Sequence, residues 1–407
     1  MRSVEFYIGL ISGTSIDGID AALVNFSATG SHSLAAYHYS PWPPEMVERL
    51  RFLSVPGQGT IEELGVLDAE VADAFALATD ALLRKAGIAP QDINAIGSHG
   101  QTIRHLPDQP RPFTLQIGDP NRIAQQTGIP VVADFRRRDM AAGGQGAPMV
   151  PAYHTAVFSK PGEPRVVVNI GGIANVTILP SDEDMAVSGF DTGPGNTLLN
   201  AWTREHLGRE FDSDGAWAAS GRVDHSILET MLADPYFRAS VPKTTGPEYF
   251  NRRWIGEKLG PSNLSPQDIQ ATLTALTAHS IAQSIELHAP TSKKLIVCGG
   301  GVHNAALMRH LETRLPNINV ESSSRYGIDP DQVEAIAFAW LARRTLHGLS
   351  GNLPSVTGAS HPVVLGGIYP GKALPAGLIR RDYPRHERDS SNQHTVAPQA
   401  SRDHEHD

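Results

Sequence analysis

Two segments of this chain share one pattern: an apolar, β-prone run, a short glycine-bearing loop, and a second apolar run. Residues 6–11 and 21–26 flank the first loop, Ser12-Gly13-Thr14-Ser15-Ile16-Asp17-Gly18-Ile19-Asp20, and residues 165–170 and 173–179 flank the second, Gly171-Gly172. Apolar runs of this length bounded by turn residues read as buried strands paired antiparallel. Their recurrence predicts two similar halves, and 407 residues suffice for two domains of ordinary size. The run Ala141-Ala142-Gly143-Gly144-Gln145-Gly146 lies between them and is the expected joint.

Helical periodicity fills the intervals. Residues 61–86 carry Leu64, Leu67, Val71, Ala74, Phe75, Ala78 and Leu82 on one face and end before Gly87. Residues 269–289 and 305–315 read as further helices, and 333–346 is apolar nearly all round, which marks a buried helix. Short apolar runs at 93–97, 114–117, 130–133 and 294–298 read as strands. Strands alternating with helices in this way predict an α/β fold.

Three glycine-rich loops carry the chemistry. The loop over 12–20 offers two glycines, three hydroxyls, and the carboxylates Asp17 and Asp20. Its N–H groups and hydroxyls can cradle a phosphate while Asp17 or Asp20 holds the water shell of Mg²⁺. It lacks the Gly-Lys-Ser/Thr ending of a P-loop, and an ordinary hairpin turn has much the same composition. Residues 187–196, Val-Ser-Gly-Phe-Asp-Thr-Gly-Pro-Gly-Asn, read as a turn feeding a helix that starts near Leu198, with Gly193 and Gly195 free to approach a ligand. On the residues alone, Asp191 in this turn is equally a turn stabiliser, a base or a metal holder. The third loop, Gly299-Gly300-Gly301, follows a strand and precedes a helix, where bare backbone admits a flat ring or a phosphate.

Other polar clusters are open to two readings. Ser98 to His105 sits at a strand end, where an open α/β sheet places its ligand; Gln101, Thr102 and Arg104 suit a polar substrate, and the spacing of His99 and His105 matches no common metal motif. Arg136, Arg137 and Arg138, bracketed by Asp134 and Asp139, form either an ion-paired turn or a clamp for a carboxylate or phosphate. Glu334 opens the buried helix, where it answers the helix dipole or serves a metal or water. Residues 211–220 resemble a calcium loop but lack the closing glutamate.

The formal net charge of -9 argues against a general nucleic-acid or anionic-membrane binder. Cys298 is the only cysteine, which excludes an intrachain disulfide and a cysteine-rich zinc site. With no apolar run of bilayer length and no secretory pattern at the N-terminus, the expected setting is cytoplasmic. From Tyr383 onward the sequence is polar without core periodicity, so 383–407 is expected to be a disordered tail.

Taken together, Gly9 to Gly18, Gly97 to His105, Ala133 to Asp139, Ala142 to Pro148, Asn169 to Gly172, Gly189 to Asn196, Asp214 to Gly221 and Cys298 to Gly301 resemble the anhydro-N-acetylmuramic acid kinases, of the sugar-kinase, chaperone-ATPase and actin superfamily. The resemblance runs from about residue 7 to 369. It implies two actin-like (ribonuclease H-like) α/β domains flanking a deep ATP and sugar cleft, the first comprising 1–140 with about 335–370 and the second 141–334. It implies ATP and Mg²⁺, with nucleotide contacts at Gly13, Thr14, Ser15, Ile16, Asp17, Gly18, Ile19, Asp20, Gly193, Gly195, Asn196, Gly299, Gly300 and Gly301. Asp191 matches the general base, Glu334 would assist it or join Asp17 at the metal, and Gln101, Thr102, Arg138, Asn169 and Gly172 would line the sugar site, Arg138 taking the lactyl carboxylate. The implied partners are a small anhydro sugar and ATP, with no nucleic acid or membrane, in a homodimer. Two alternatives stand beside this: the same chemistry on another anhydro sugar such as levoglucosan, and a non-catalytic nucleotide switch.

Overall fold

A computed structural model describes residues 4–372 apart from positions 29, 183 and 262, so the tail expected over 383–407 lies outside the described residues. The chain first forms β1 (Glu5–Ser12), β2 (Gly18–Phe26), β3 (His32–Pro41), β4 (Ile93–Leu106), β5 (Phe113–Ile117) and β6 (Val131–Ala133). It continues through β7 (Arg165–Ile170), β8 (Ile173–Leu179), β9 (Ser188–Pro194), β10 (Lys294–Cys298) and β11 (Asn319–Ser322), and returns in β12 (Gly367–Tyr369).

Two sheets result. The first has the order β12-β6-β4-β1-β2-β3 with β5 on β4, and the second the order β11-β10-β7-β8-β9. In the first, β1, β2 and β3 form an antiparallel meander and β4 and β6 run parallel to β1. In the second, β7, β8 and β9 meander in the same way while β10 and β11 run parallel to β7. The repeat read from sequence is therefore a repeat of topology, the ribonuclease H-like order occurring twice.

The helix Val333–Leu346 sets the distance between structure and site. Gly9 and Gly97 face it, and a Cβ at either would lie 1.7 Å from the Ala335 carbonyl or 2.1 Å from that of Phe338. Their bare backbones let the helix lie directly on β1 and β4. Its apolar faces are filled on all sides, and one core cluster runs from Tyr7 and Ala95 through Ile336, Phe338 and Leu341 to Val167 and Ile296 of the second sheet. Side chains of this size each contribute roughly 1.5–3 kcal/mol on burial. Glu334, in the first turn, is thereby brought to Asn169 of β7 in the second sheet.

Three local expectations are corrected. Residues 98–105 continue β4 rather than leaving it, because β5 pairs back on them in a hairpin. The arginine stretch is not a turn but the helix Phe135–Ala141, entered through Asp134 at φ 61. Asp191 lies on a strand, not in a flexible turn: β9 pairs only with β8 at the sheet edge, where the missing N–H of Pro194 is tolerated.

Candidate active site

The first glycine loop is braced from behind. Ser12 Oγ donates to Gln101 Oε1 (2.5 Å) and accepts from Trp42 Nε1 (2.9 Å), while Gln101 Nε2 donates to the carbonyls of Gly13 (3.3 Å) and Thr102 (3.2 Å). Gln101 is fully buried with both ends of its amide engaged, so its contacts shape the loop. Thr102 is half-buried, and its hydroxyl accepts from Gln116 Nε2 at 3.2 Å. Ile16 and Ile19 point into the core, whereas Thr14, Ser15 and Asp17 are exposed, Ser15 Oγ donating to Asp17 Oδ1 at 2.8 Å. Ile16 adopts φ 55, a region β-branched residues rarely occupy, and backbone held this way is concentrated at binding loops.

The second sheet carries a matching loop. The N–H groups of Gly195 and Thr197 donate to the Gly172 carbonyl (2.9 and 3.0 Å) and that of Asn196 to Gly171 (2.8 Å), which fastens the β7–β8 turn to the start of the helix Thr197–Leu207. These donors are committed within the protein, and the helix start has no side-chain cap, so the N–H groups of Leu198 and Leu199 remain for an anion. A Cβ built at Gly172 would stand 2.9 Å from Thr197 Oγ1 and 3.8 Å from Thr14 Oγ1. The two glycine loops thus approach each other at one point. At the third loop, Gly299 takes φ 80 and a Cβ there would meet Asn169 Oδ1 at 2.5 Å, so glycine is required. Gly300 is different, since a Cβ there would meet nothing within 4 Å.

The carboxylates converge between these loops. Asp191, at the middle of β9, is held by Thr245 N–H to its Oδ2 (3.0 Å), by its own N–H to the Lys243 carbonyl (3.0 Å), and by Tyr236 Oη to its carbonyl (2.7 Å). Burial pushes the Asp191 carboxyl up to about 7; the Thr245 N–H, Arg136 and Lys243 oppose the shift and Glu248 adds to it. Glu334 is raised by burial, against the charge of Arg136 and with that of Asp17. Asp20 rises to about 7 through burial, opposed by its hydrogen bond from Tyr37 and reinforced by Asp17, Glu334 and Asp331. Asn169, 7% exposed, donates from Nδ2 to Glu334 Oε1 at 3.4 Å. Arg136 is lowered to about 10 by burial and held up by Glu334, Asp191 and Asp139, so one guanidinium acts on both ends of the carboxylate group.

The residue set fits a magnesium nucleotide. Asp17, Asp20 and Glu334 offer hard oxygen donors in one electrostatic neighbourhood, and Gly300 leaves open space at the end of β10. Among the described residues no three ligating side chains close on one point. Mg²⁺ commonly binds through one or two carboxylates with phosphates and water supplying the rest.

Arg138, expected at the substrate carboxylate, is exposed. It follows Arg136 by two positions, about 200° round a helix, so the two side chains leave in nearly opposite directions. The arginine facing the carboxylates is Arg136. The residues that grip Asp191, from 236 to 245, carry no helical or strand period in the sequence; a Lys-Thr-Thr-Gly run between aromatics at 243–246 is their one signal.

Two sheets of one topology, with glycine loops at the matching ends of their strands, define an actin-like α/β protein. The family model described as "Anhydro-N-acetylmuramic acid kinase" matches residues 5–371. Anhydro-N-acetylmuramic acid kinase of Xanthomonas campestris pv. campestris (strain 8004) is 53% identical over 371 residues, covering 89% of this chain and 97% of the relative. The Shewanella halifaxensis (strain HAW-EB4) protein of the same name is 51% identical over 367 residues, covering 90% and 99%. The chain belongs to the anhydro-N-acetylmuramic acid kinase family. No helix among the described residues is long and apolar enough to cross a membrane.

Proposed function

We propose that this chain is an ATP-dependent kinase that opens 1,6-anhydro-N-acetylmuramic acid with water and phosphorylates the freed 6-oxygen, yielding N-acetylmuramic acid 6-phosphate and ADP. The observation that carries the reading is Asp191, a carboxylate titrating near 7 and fixed by Thr245, Lys243 and Tyr236 at the cleft. A base works best when its pKa lies near the working pH.

In this reading Asp191 takes one proton from water as the water oxygen bonds to C1 of the sugar. The C1–O6 bond breaks, O6 bonds to the γ-phosphorus, and ADP departs with the electron pair of the β,γ-bridging bond. Asp191 then returns its proton to solvent. Arg136 supports the developing charge and meets the lactyl carboxylate. The loops at Gly13 to Asp17, Gly172 with Leu198 and Leu199, and Gly299 to Gly301 orient the triphosphate and nucleoside, and Asp17 with Glu334 would hold Mg²⁺ through water. Bound Mg²⁺ neutralises phosphate charge and aligns the transfer. Units 1–140 with 335–370 and 141–334 act as the two sides of the cleft, in a cytoplasmic homodimer.

ADP release with Mg-ATP is the test, using 1,6-anhydro-N-acetylmuramic acid beside levoglucosan and N-acetylmuramic acid, for wild type and Asp191→Asn. Turnover confined to the anhydromuramic sugar and lost in the variant supports the reading. Turnover on levoglucosan moves the substrate, and ATP binding without any sugar-stimulated release overturns the kinase assignment.

A further inference from the structure

We propose that His99 is a positioning residue: a neutral imidazole that orients the Arg136 guanidinium, whose charge acts on Asp191 and Glu334, without neutralising it. The inference rests on the reading of Asp191 as the base.

The geometry starts with Gly100. Its φ of +77 turns the chain where a Cβ would lie 2.5 Å from the Ile117 carbonyl, and its own carbonyl oxygen ends 3.0 Å from His99 Nδ1. A carbonyl only accepts, so the ring proton sits on Nδ1 and Nε2 presents a lone pair. Arg136 Nε–H donates to that Nε2 at 3.0 Å. The ring itself is 7% exposed and packs on Phe338, 4.7 Å between centroids, which fixes its plane.

A second neutral acceptor completes the hold. Arg136 Nη1 donates to the Gly146 carbonyl at 2.8 Å, and Gly146 N–H donates to Asp139 Oδ2 at 2.8 Å. Asp139 is fully buried, and its Oδ1 accepts from Asn352 Nδ2 and Thr357 Oγ1, both at 2.7 Å. Two N–H groups of the guanidinium are thus oriented by uncharged acceptors. Neither acceptor is an anion, so the guanidinium charge still acts on Glu334 and Asp191 beside Asp139. A carboxylate in place of His99 would orient Arg136 equally well and cancel that charge.

Charged and titratable neighbours agree with a neutral ring. Burial, with Arg136 and His105 adding to it and the Gly100 carbonyl opposing, pushes the His99 pKa down to about 3. Glu334, Asp191 and Asp139 face Arg136, while Arg136, Lys243 and Glu248 face Asp191. Releasing Arg136 removes one of the groups that keep Asp191 from rising further.

The test compares His99→Gln, which keeps an acceptor, with His99→Ala and the space-filling His99→Leu, which do not. Folding is checked by circular dichroism and thermal melting, and kcat/KM for the anhydro sugar is measured against pH. The apolar variants are expected to lose about 10–100-fold in kcat/KM, to keep the KM for ATP, and to move the acidic limb upward by about half a unit or more. His99→Gln is expected to stay within about threefold of wild type with the limb unmoved. A folded apolar variant that loses rate while its limb stays at the wild-type pH overturns the inference, as does His99→Gln behaving like His99→Ala. Asp191→Asn in the same series separates the two levels. An active Asp191→Asn enzyme removes the base assignment, whereas an inactive one beside an unmoved limb in His99→Ala removes the role of His99 alone.

Discussion

Asn169 Nδ2 lies 3.4 Å from Glu334 Oε1, a contact 165 residues apart in sequence that ties the end of β7 to the helix resting on the other sheet. It joins the two sides of the cleft at the point where the carboxylates gather. Asn169→Ala is expected to leave Glu334 buried without this donor and to cost on the order of 1–3 kcal/mol. Thermal denaturation reads that loss, and a fall in kcat larger than any change in the KM for ATP shows that the contact also serves the reaction.

Asp191 predicts a signed pH dependence. Its pKa of about 7 in the fold lies above the ordinary carboxyl value of 3.8, so the base form, and with it kcat/KM, grows as pH rises through about 7. Stability runs the other way. A raised folded pKa favours the neutral carboxyl, so its contribution is full below about 4 and is lost as pH rises through about 7. Asp191→Asn should therefore be inactive yet more stable at pH 8, by on the order of 1–3 kcal/mol after allowance for its partial exposure. Chemical denaturation of both proteins at pH 5 and pH 8 checks the sign.

Two glycines separate folding from binding. Gly300→Ala meets open space, so its melting temperature should stay within about 2 °C of wild type while the KM for ATP rises several-fold. Gly9→Ala drives a Cβ into the Ala335 carbonyl, 1.7 Å away, and should cost several kcal/mol or prevent folding. Melting curves and ATP titrations of the pair give both numbers.

The arginines divide similarly. Arg136→Ala removes the charge that acts on Asp191 and Glu334 and should lower kcat/KM by about 10² or more. Arg138→Ala removes an exposed side chain and should change it less than about threefold. Steady-state kinetics on the two variants decide which arginine the substrate meets.

These residues also mark what the sequence made legible. The doubled strand-loop-strand pattern was readable because its apolar runs and glycine loops are local. So was the helix Val333–Leu346, whose apolar residues leave no solvent face. Asp191 was legible as chemistry but not as a strand residue, because Gly189, Gly193 and Pro194 disfavour a central strand and nothing local reveals that β9 is an edge. The resemblance put Arg138 at the lactyl carboxylate, and nothing in the residue pattern pointed to Arg136 before the direction of their helix was known. The grip of Thr245, Lys243 and Tyr236 on Asp191 spans 45 to 54 residues and depends on irregular backbone, which has no period to read.

Isotope position tests the central claim most directly. With Mg-ATP and 1,6-anhydro-N-acetylmuramic acid in ¹⁸O-water, quenched early, attack of Asp191-activated water at C1 predicts one ¹⁸O on the anomeric carbon of the product and none in the phosphate or at C6. It also predicts no labelled product from Asp191→Asn. Label in the phosphate, or a phosphorylated product still carrying its intact anhydro ring, would contradict it.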